Sequence, residues 1–314
     1  MRTAVTNVQV RERQKVNRRI LKFLNLKKYI WPYAMLSPTL VILAIFFVFP
    51  FFFSLYLSFM QWNLVSPTKE FVGFFNYSSL LTDDVFWMAL KNTMLYVFGT
   101  VPLSMIIAIG LAVLIESTGR RIREIYRFLL FIPVVASIAV TSIVWMLLMN
   151  PDTGLINNYL SMIGLTGPNW LNDPKWALWS LMIVGVWKAV GYNMVLYIAG
   201  LKGIDTQLYE AAEIDGAGSW KKFISITLPQ LSPVNMFVLV VSIINSFQVF
   251  ATVHIMTSGG PNNATNVLIY QVWQEAFQFF DIGRASALSM ILFIIVLVIA
   301  VIQIRLIDSK VHYS

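Results

Sequence analysis

Six apolar runs, at 33–59, 92–115, 128–149, 176–201, 234–253 and 285–304, leave this chain few ways to fold. Each is close to the ~20 residues with which an α-helix crosses the hydrocarbon core of a bilayer. Only helices and closed barrels satisfy their backbone groups in lipid, and runs this long and this continuously apolar predict helices. The expected fold class is therefore all-α, a multi-pass membrane protein with six transmembrane helices. Composition agrees: 58% of residues are hydrophobic, 12% are charged, and mean hydropathy is +0.71, too apolar for a soluble domain of 314 residues. Pro38, Pro50 and Pro102 fall inside expected spans, where neighbouring helices can re-satisfy the freed carbonyls.

The positive charges set the orientation. With the N-terminus inside, eighteen Lys and Arg lie on the inner side, nine of them between Arg2 and Lys28. Four lie outside (Lys69, Lys91, Lys175 and Arg284), and Lys188 falls within a span. That asymmetry predicts cytoplasmic N and C termini. It also accounts for the net charge of +8 as topology and leaves no reason to invoke nucleic acid. Residues 1–30 are expected to be a basic cytoplasmic tail, because the apolar run after them is too long for a signal peptide. The first transmembrane helix is placed within 31–60. The chain has no cysteine, which removes disulfides, thiolate nucleophiles and Cys-based metal sites. His254 and His312 are far apart in sequence.

Between the fourth and fifth runs lies a polar, charged stretch, Glu210 to Pro233. Its charges exclude it from hydrocarbon. Ile204, Leu208, Ala211, Ala212 and Ile214 fall roughly on one face of a short helix. Asp215-Gly216 should break that helix, and a second short helix is expected over 220–226, ended by Leu228-Pro229. The small residues Ala211, Ala212 and Ala217 suit docking into a groove of another protein. The fixed positions are Glu210-Ala211-Ala212, three residues, Gly216, nine residues, Ile226, one residue, Leu228-Pro229. This pattern resembles the EAA loop of ABC importer permeases. The resemblance implies a type I ABC importer fold with a five-helix core at 90–305. It also implies a cytoplasmic coupling helix in the loop 203–233, with Glu210, Ala211, Ala212, Asp215, Gly216, Ala217, Ile226, Leu228 and Pro229 engaging an ATPase. Where that family usually has proline after the residue at Ile204, this chain has Asp205.

After the fifth run, Gly259-Gly260-Pro261 is a turn signal. With Thr265, Phe277 and Gly283-Arg284-Ala285, it is similar to the outer loop of carbohydrate permeases of the maltose type. Polar groups in spans favour an aqueous path or a partner helix over lipid. Gly185, Lys188 and Tyr192 share one face of the fourth span. Asn235, Ser242, Asn245, Ser246 and Gln248 make the fifth unusually polar, and Pro133 and Ser137 interrupt the third. The maltose-type resemblance implies substrate contacts from these three helices, at Val134, Ser137, Ile138, Lys188, Ala189, Tyr192, Asn245, Ser246, Gln248 and Val249. Hydrogen bonding between helices is the competing role for Asn245 and Gln248, and helix packing for Tyr192.

The sequence has no P-loop, HExxH or nucleophile elbow, and no metal-spaced carboxylates. The chain is therefore expected to be a transport subunit, not an enzyme, and to bind no cofactor or metal. The resemblance implies a permease in a bacterial or archaeal cell membrane, forming half of a path for a sugar or oligosaccharide. Whether that solute is anionic is left open by Lys188. The implied partners are a second homologous permease, two ATPase subunits holding ATP and Mg, an extracytoplasmic solute-binding protein, the sugar itself and membrane lipid. The alternative is a self-sufficient secondary transporter or channel. Against it stand the lack of intramembrane Asp or Glu for ion coupling and of an evident inverted repeat.

Overall fold

The computed structural model describes residues 32–308. The expected basic tail at 1–30, together with Lys310 and His312, lies outside the described residues. The chain divides into two compact units, Met1–Tyr56 and Leu57–Ser314.

The first unit contributes nearly all of the helix α1 (Pro32–Leu57), an apolar span that widens into one π turn at Ala44–Val48. Its side chains are almost all exposed. Phe49 stacks on Phe53 at 5.8 Å, and Phe53 stacks on Tyr56 at 6.4 Å. Exposed apolar rings of this kind are stable only against lipid or another protein.

The second unit begins with a two-stranded antiparallel hairpin, β1 (Met60–Gln61) and β2 (Glu70–Phe71), and a short helix α2 (Phe75–Leu81). Its central member is α3 (Asp84–Glu116), capped by the Asp83 carboxylate accepting from Val85 N at 2.9 Å. At 33 residues α3 is ~50 Å long, enough to cross the bilayer and project beyond it. It packs along α7 (Ala177–Leu201), the other deeply buried helix. Lipid supplies no hydrophobic drive between helices, so close contact depends on small residues. Ala108 and Ala112 are fully buried on α3, and Gly185 on α7 leaves room for the Tyr96 hydroxyl. Further along α7, Gly200 lies against Leu231 and Val234.

The third expected span, 128–149, is not one straight helix. It consists of α4 (Arg120–Val135) and α5 (Ile138–Leu148), bent by 100° at Ala136–Ser137. Pro133 sits in the last turn of α4 and cannot donate to the ladder, and both residues after Val135 turn extended. After α6 (Leu155–Met162) and α7, the polar stretch forms α8 (Thr206–Ile214) and a second helical run, α9, over 219–230.

The fifth expected span, 234–253, is also interrupted. α10 (Ser232–Phe247) stops, three residues run irregularly, and α11 (Ala251–Met256) resumes. No proline or glycine lies at this break. α12 (Leu268–Trp273) passes into a π turn (Gln274–Gln278), and α13 (Ile282–Asp308) is the last span. Among the described residues five helices are long and apolar enough to cross a membrane, six if α4 and α5 make one span.

The end of this unit opposite the Arg-rich start of α4 is braced by long-range polar contacts. Arg284 donates to Glu275 at 2.9 Å and pairs with Asp83. Asn92 donates to the carbonyls of Asn263 and Asn266, both at 2.9 Å. The Thr93 hydroxyl accepts from Leu268 N at 2.9 Å. These bonds fix the Gly259-Gly260-Pro261 loop against α3. Within the loop Thr265 donates to the Gly260 carbonyl at 2.6 Å, and Gly259 lies against the Tyr270 ring.

Candidate translocation site and coupling segment

Both helix breaks open onto one cavity of about 370 Å³. From the third span it is lined by Val134 and Ile138, from α7 by Lys188, Ala189 and Tyr192, and from the fifth span by Asn245, Ser246, Gln248 and Val249. Of the residues expected on the substrate path, Ser137 alone is not in the lining. It occupies the turn before α5, where its carbonyl accepts from Thr141 N at 3.0 Å.

α3 supplies a fourth wall that the sequence reading missed: Tyr96, Thr100 and Ser104. These stand four residues apart on one face, a polar stripe hidden in an apolar helix. The stripe is bonded across the bundle. Asn193 donates to Ser104 at 3.4 Å and to Ser242 at 3.3 Å, and Thr100 and Ser246 hydroxyls lie 3.3 Å apart. These groups form a buried polar network beside the cavity.

Lys188 is the charged residue in this lining, and no carboxylate faces it there. Its ammonium donates to two backbone carbonyls, Ala136 O at 2.9 Å and Pro133 O at 3.1 Å. Both belong to the C-terminal end of α4, where helical carbonyls lack intrahelical partners and the dipole favours a cation. The half-buried cation is thus compensated by a helix end.

The polar stretch folds into two short helices joined by a tight turn. Asp205, standing where proline was expected from the resemblance, caps α8 by accepting from Gln207 N at 2.9 Å. At the other end Gly216 adopts φ +72°. Ala217 N donates to Ala212 O at 2.8 Å and Gly216 N to Glu213 O at 3.0 Å. That double bond pattern is a Schellman motif, which calls for glycine at this position. Tyr209 and Thr227 hydroxyls, 2.8 Å apart, brace α8 against α9. One expectation is corrected here: Leu228-Pro229 does not end the second helix. A π turn at Phe223–Thr227 precedes Pro229, the helix runs on to Gln230, and the chain kinks only at Leu231. Glu210, Ala211, Asp215 and Gly216 are exposed, and Ala212, Ala217 and Ile226 are partly so. Leu208, Ile214 and Trp220 are exposed apolar side chains on the same segment.

A family model described as "Binding-protein-dependent transport system inner membrane component" matches residues 117–313. The chain belongs to this family. It is 34% identical over 284 residues, 90% of this chain and 96% of the other, to the sn-glycerol-3-phosphate transport system permease protein UgpA of Pectobacterium atrosepticum. It is 36% identical over 277 residues, 87% and 94% of the two chains, to the probable ABC transporter permease protein YurN of Bacillus subtilis. A crystal structure of a bacterial ABC transporter involved in import of the acidic polysaccharide alginate superposes with TM-score 0.82 at 25% identity, covering 92% of this chain and 99% of that one. The same kind of transporter in complex with an alginate pentasaccharide-bound periplasmic protein gives 0.80 at 26%, covering 90% and 95%.

As a permease of this family, the chain is an inner-membrane transport subunit with the type I importer architecture. Its two candidate surfaces have distinct chemistry. The cavity has a mainly apolar lining, with Tyr192, Asn245, Ser246 and Gln248 among its polar groups and Lys188 as its charged one. The candidate coupling segment is largely exposed, helical and turned at Gly216. Among the described residues no group of His, Cys, Asp or Glu is placed to hold a metal ion.

Proposed function

We propose that this chain forms one half of the membrane path of an importer for an anionic, sugar-like solute. The second half is a homologous permease, and an extracytoplasmic solute-binding protein delivers the solute. Two ATPase subunits, which hold ATP and Mg, dock on the segment 203–233 through Glu210, Ala211, Ala212, Asp215, Gly216, Ala217, Ile226, Leu228 and Pro229. The core that carries both surfaces is 90–305, with the first span added in front of it. Solute passes along Val134, Ile138, Lys188, Ala189, Tyr192, Asn245, Ser246, Gln248 and Val249, joined by Tyr96, Thr100 and Ser104.

One observation carries the substrate class: a cavity with hydroxyl and amide groups set among apolar side chains holds one ammonium and no carboxylate. A hydroxyl-rich solute exchanges its water for these groups, and its anion finds Lys188, so neither is left unpaired in a low dielectric. The names of relatives found by independent routes fit this chemistry, a phosphate ester in one case and an acidic polysaccharide in the other.

The test is uptake into proteoliposomes holding the chain with its partner permease, ATPases and binding protein. Offered sn-glycerol 3-phosphate, a uronate oligosaccharide and maltotriose, the transporter should prefer an anionic solute. Lys188→Met should abolish that uptake and Lys188→Arg should keep part of it. Preference for maltotriose, undiminished in Lys188→Met, would overturn the reading.

A further inference from the structure

We propose that Lys188 is a latch: its ammonium holds the bend of the third span, and an anion entering the cavity releases it. The coupling half of this inference rests on the anionic reading above; the latch half does not.

A helix that stops inside a membrane leaves carbonyls that lipid cannot satisfy. Soluble helices commonly solve this with a glycine in the left-handed conformation. Here Val135 is followed by Ala136 and Ser137, both extended, and no glycine is available. The donor comes instead from α7, as the Lys188 ammonium bonded to Pro133 O and Ala136 O.

The neighbours of Lys188 grip the same break. Trp187 meets Trp145 of α5 edge to face at 5.6 Å. One turn further along α7, Gly191 lets the Leu130 carbonyl of α4 approach so closely that a Cβ would collide with it. Consecutive positions on α7 therefore hold α4 on one side of the 100° bend and α5 on the other. Of these contacts only the ammonium also lines the cavity. It is the element that solute can reach.

An ammonium has three N–H donors, and two are spent on neutral carbonyls. A carboxylate or phosphate oxygen makes a charge-assisted bond roughly twice as strong as a neutral one. An anion beside Lys188 takes the third donor with one oxygen, and its second oxygen then competes for the two donors that cap α4. As the ammonium turns to the anion, the end of α4 loses its cap, and the bend must open or rotate until its carbonyls find other donors. Solute occupancy and the geometry of the third span are thereby linked, since the anion favours the uncapped arrangement.

Because the chain has no cysteine, spin labels can be placed at Ile125 on α4 and Leu147 on α5, both exposed and on opposite sides of the break. Pulsed dipolar distances are measured in the assembled, reconstituted transporter. Wild type without solute should give one narrow distance. Lys188→Met should broaden or shift it, and Lys188→Arg should restore it. Saturating sn-glycerol 3-phosphate or uronate oligosaccharide, whichever is taken up, should move wild type towards the Met distribution and leave Lys188→Met unmoved. If Met fails to reach the membrane, Lys188→Gln, a neutral donor, should keep the narrow distance and ignore the anion. A Met distribution identical to wild type overturns the latch, as does a broadened Gln distribution. A wild-type distance indifferent to the transported anion overturns the coupling. If no anion is taken up at all, the proposed substrate class fails, while the comparison of Met with Arg still decides the latch.

Discussion

Replacing Gly216 tests whether the coupling segment works through its turn. Gly216 has φ +72°, and a Cβ built there meets nothing within 4 Å. The cost of a side chain is therefore conformational and not steric. A non-glycine residue in the left-handed region costs ~1–2 kcal/mol, with Asn tolerated best and β-branched residues worst. Gly216→Ala should lose about 1 kcal/mol of turn stability and Gly216→Val about 2 kcal/mol, an ~5- to 30-fold drop in the population of the native turn. Gly216→Asn should be close to wild type. The assay is ATP hydrolysis by the assembled transporter, with and without solute-loaded binding protein, at matched amounts of permease in the membrane. Stimulation should fall in the order Gly, Asn, Ala, Val while basal hydrolysis changes little. Normal stimulation in Gly216→Val would refute the role of the turn. Equal loss in Asn, Ala and Val would refute the conformational argument differently, by showing that any side chain clashes with the docked ATPase.

Three further outcomes follow from the geometry. A cysteine at Asn262 should react with an impermeant thiol reagent applied from outside and one at Ser219 should not; the opposite pattern would reverse the orientation argued from the Lys and Arg distribution. Gly191→Ala should cost about 1–3 kcal/mol by overpacking against the Leu130 carbonyl and Val134, read as a lower melting temperature in detergent, and an unchanged melting temperature would mean α4 does not approach α7 this closely. Burial raises the Glu275 carboxyl above the usual carboxylate range despite Arg284 beside it. The native state then binds more protons than the unfolded chain in that window, so Glu275's contribution to stability falls as pH rises through its raised pKa. Glu275→Gln should flatten that part of the curve of melting temperature against pH, and an equally steep curve would contradict it.

How much could be read beforehand depended on whether the signal was local. The apolar runs and the spacing from Glu210 to Pro229 are local patterns, and so is the Gly216 turn, because a Schellman motif draws its bonds from within six residues. Pro133 marked the third-span break. The break at Gln248–Phe250 carried no such mark, since neither proline nor glycine is present, and only the run of polar residues hinted at it. Tyr96, Thr100 and Ser104 were legible in principle by their spacing of four, but each looks ordinary within an apolar run. The contacts of Arg284 with Asp83, and of Asn92 with Asn263 and Asn266, join segments far apart in sequence. No window on the sequence contains both partners. Lys188 was legible as a mid-span cation; its counter-charge was not, because a helix end is not a residue type.

A second, larger cavity of about 1020 Å³ lies between α3, α4, α5 and α7. Size alone would make it the path, and chemistry decides against it. Its walls include Leu103, Ile107, Leu111, Leu129, Met182 and Ile183, its aromatic lining includes Trp179 and Trp187, and its one charged residue is Lys175. Each sugar hydroxyl entering such a wall gives up water without a partner, at a cost of about 1–3 kcal/mol by mutational measures. A solute with several hydroxyls would therefore face a barrier that no uniform apolar contact offsets. The smaller cavity offers hydrogen bonds from Tyr192, Asn245, Ser246 and Gln248, which are at least partly exposed. It is also where the backbone departs from helix in two spans, which lipid does not tolerate but a hydrated passage does. At about 370 Å³ it suits one or two sugar units and not an extended chain, so a longer solute needs the matching surface of the proposed second permease.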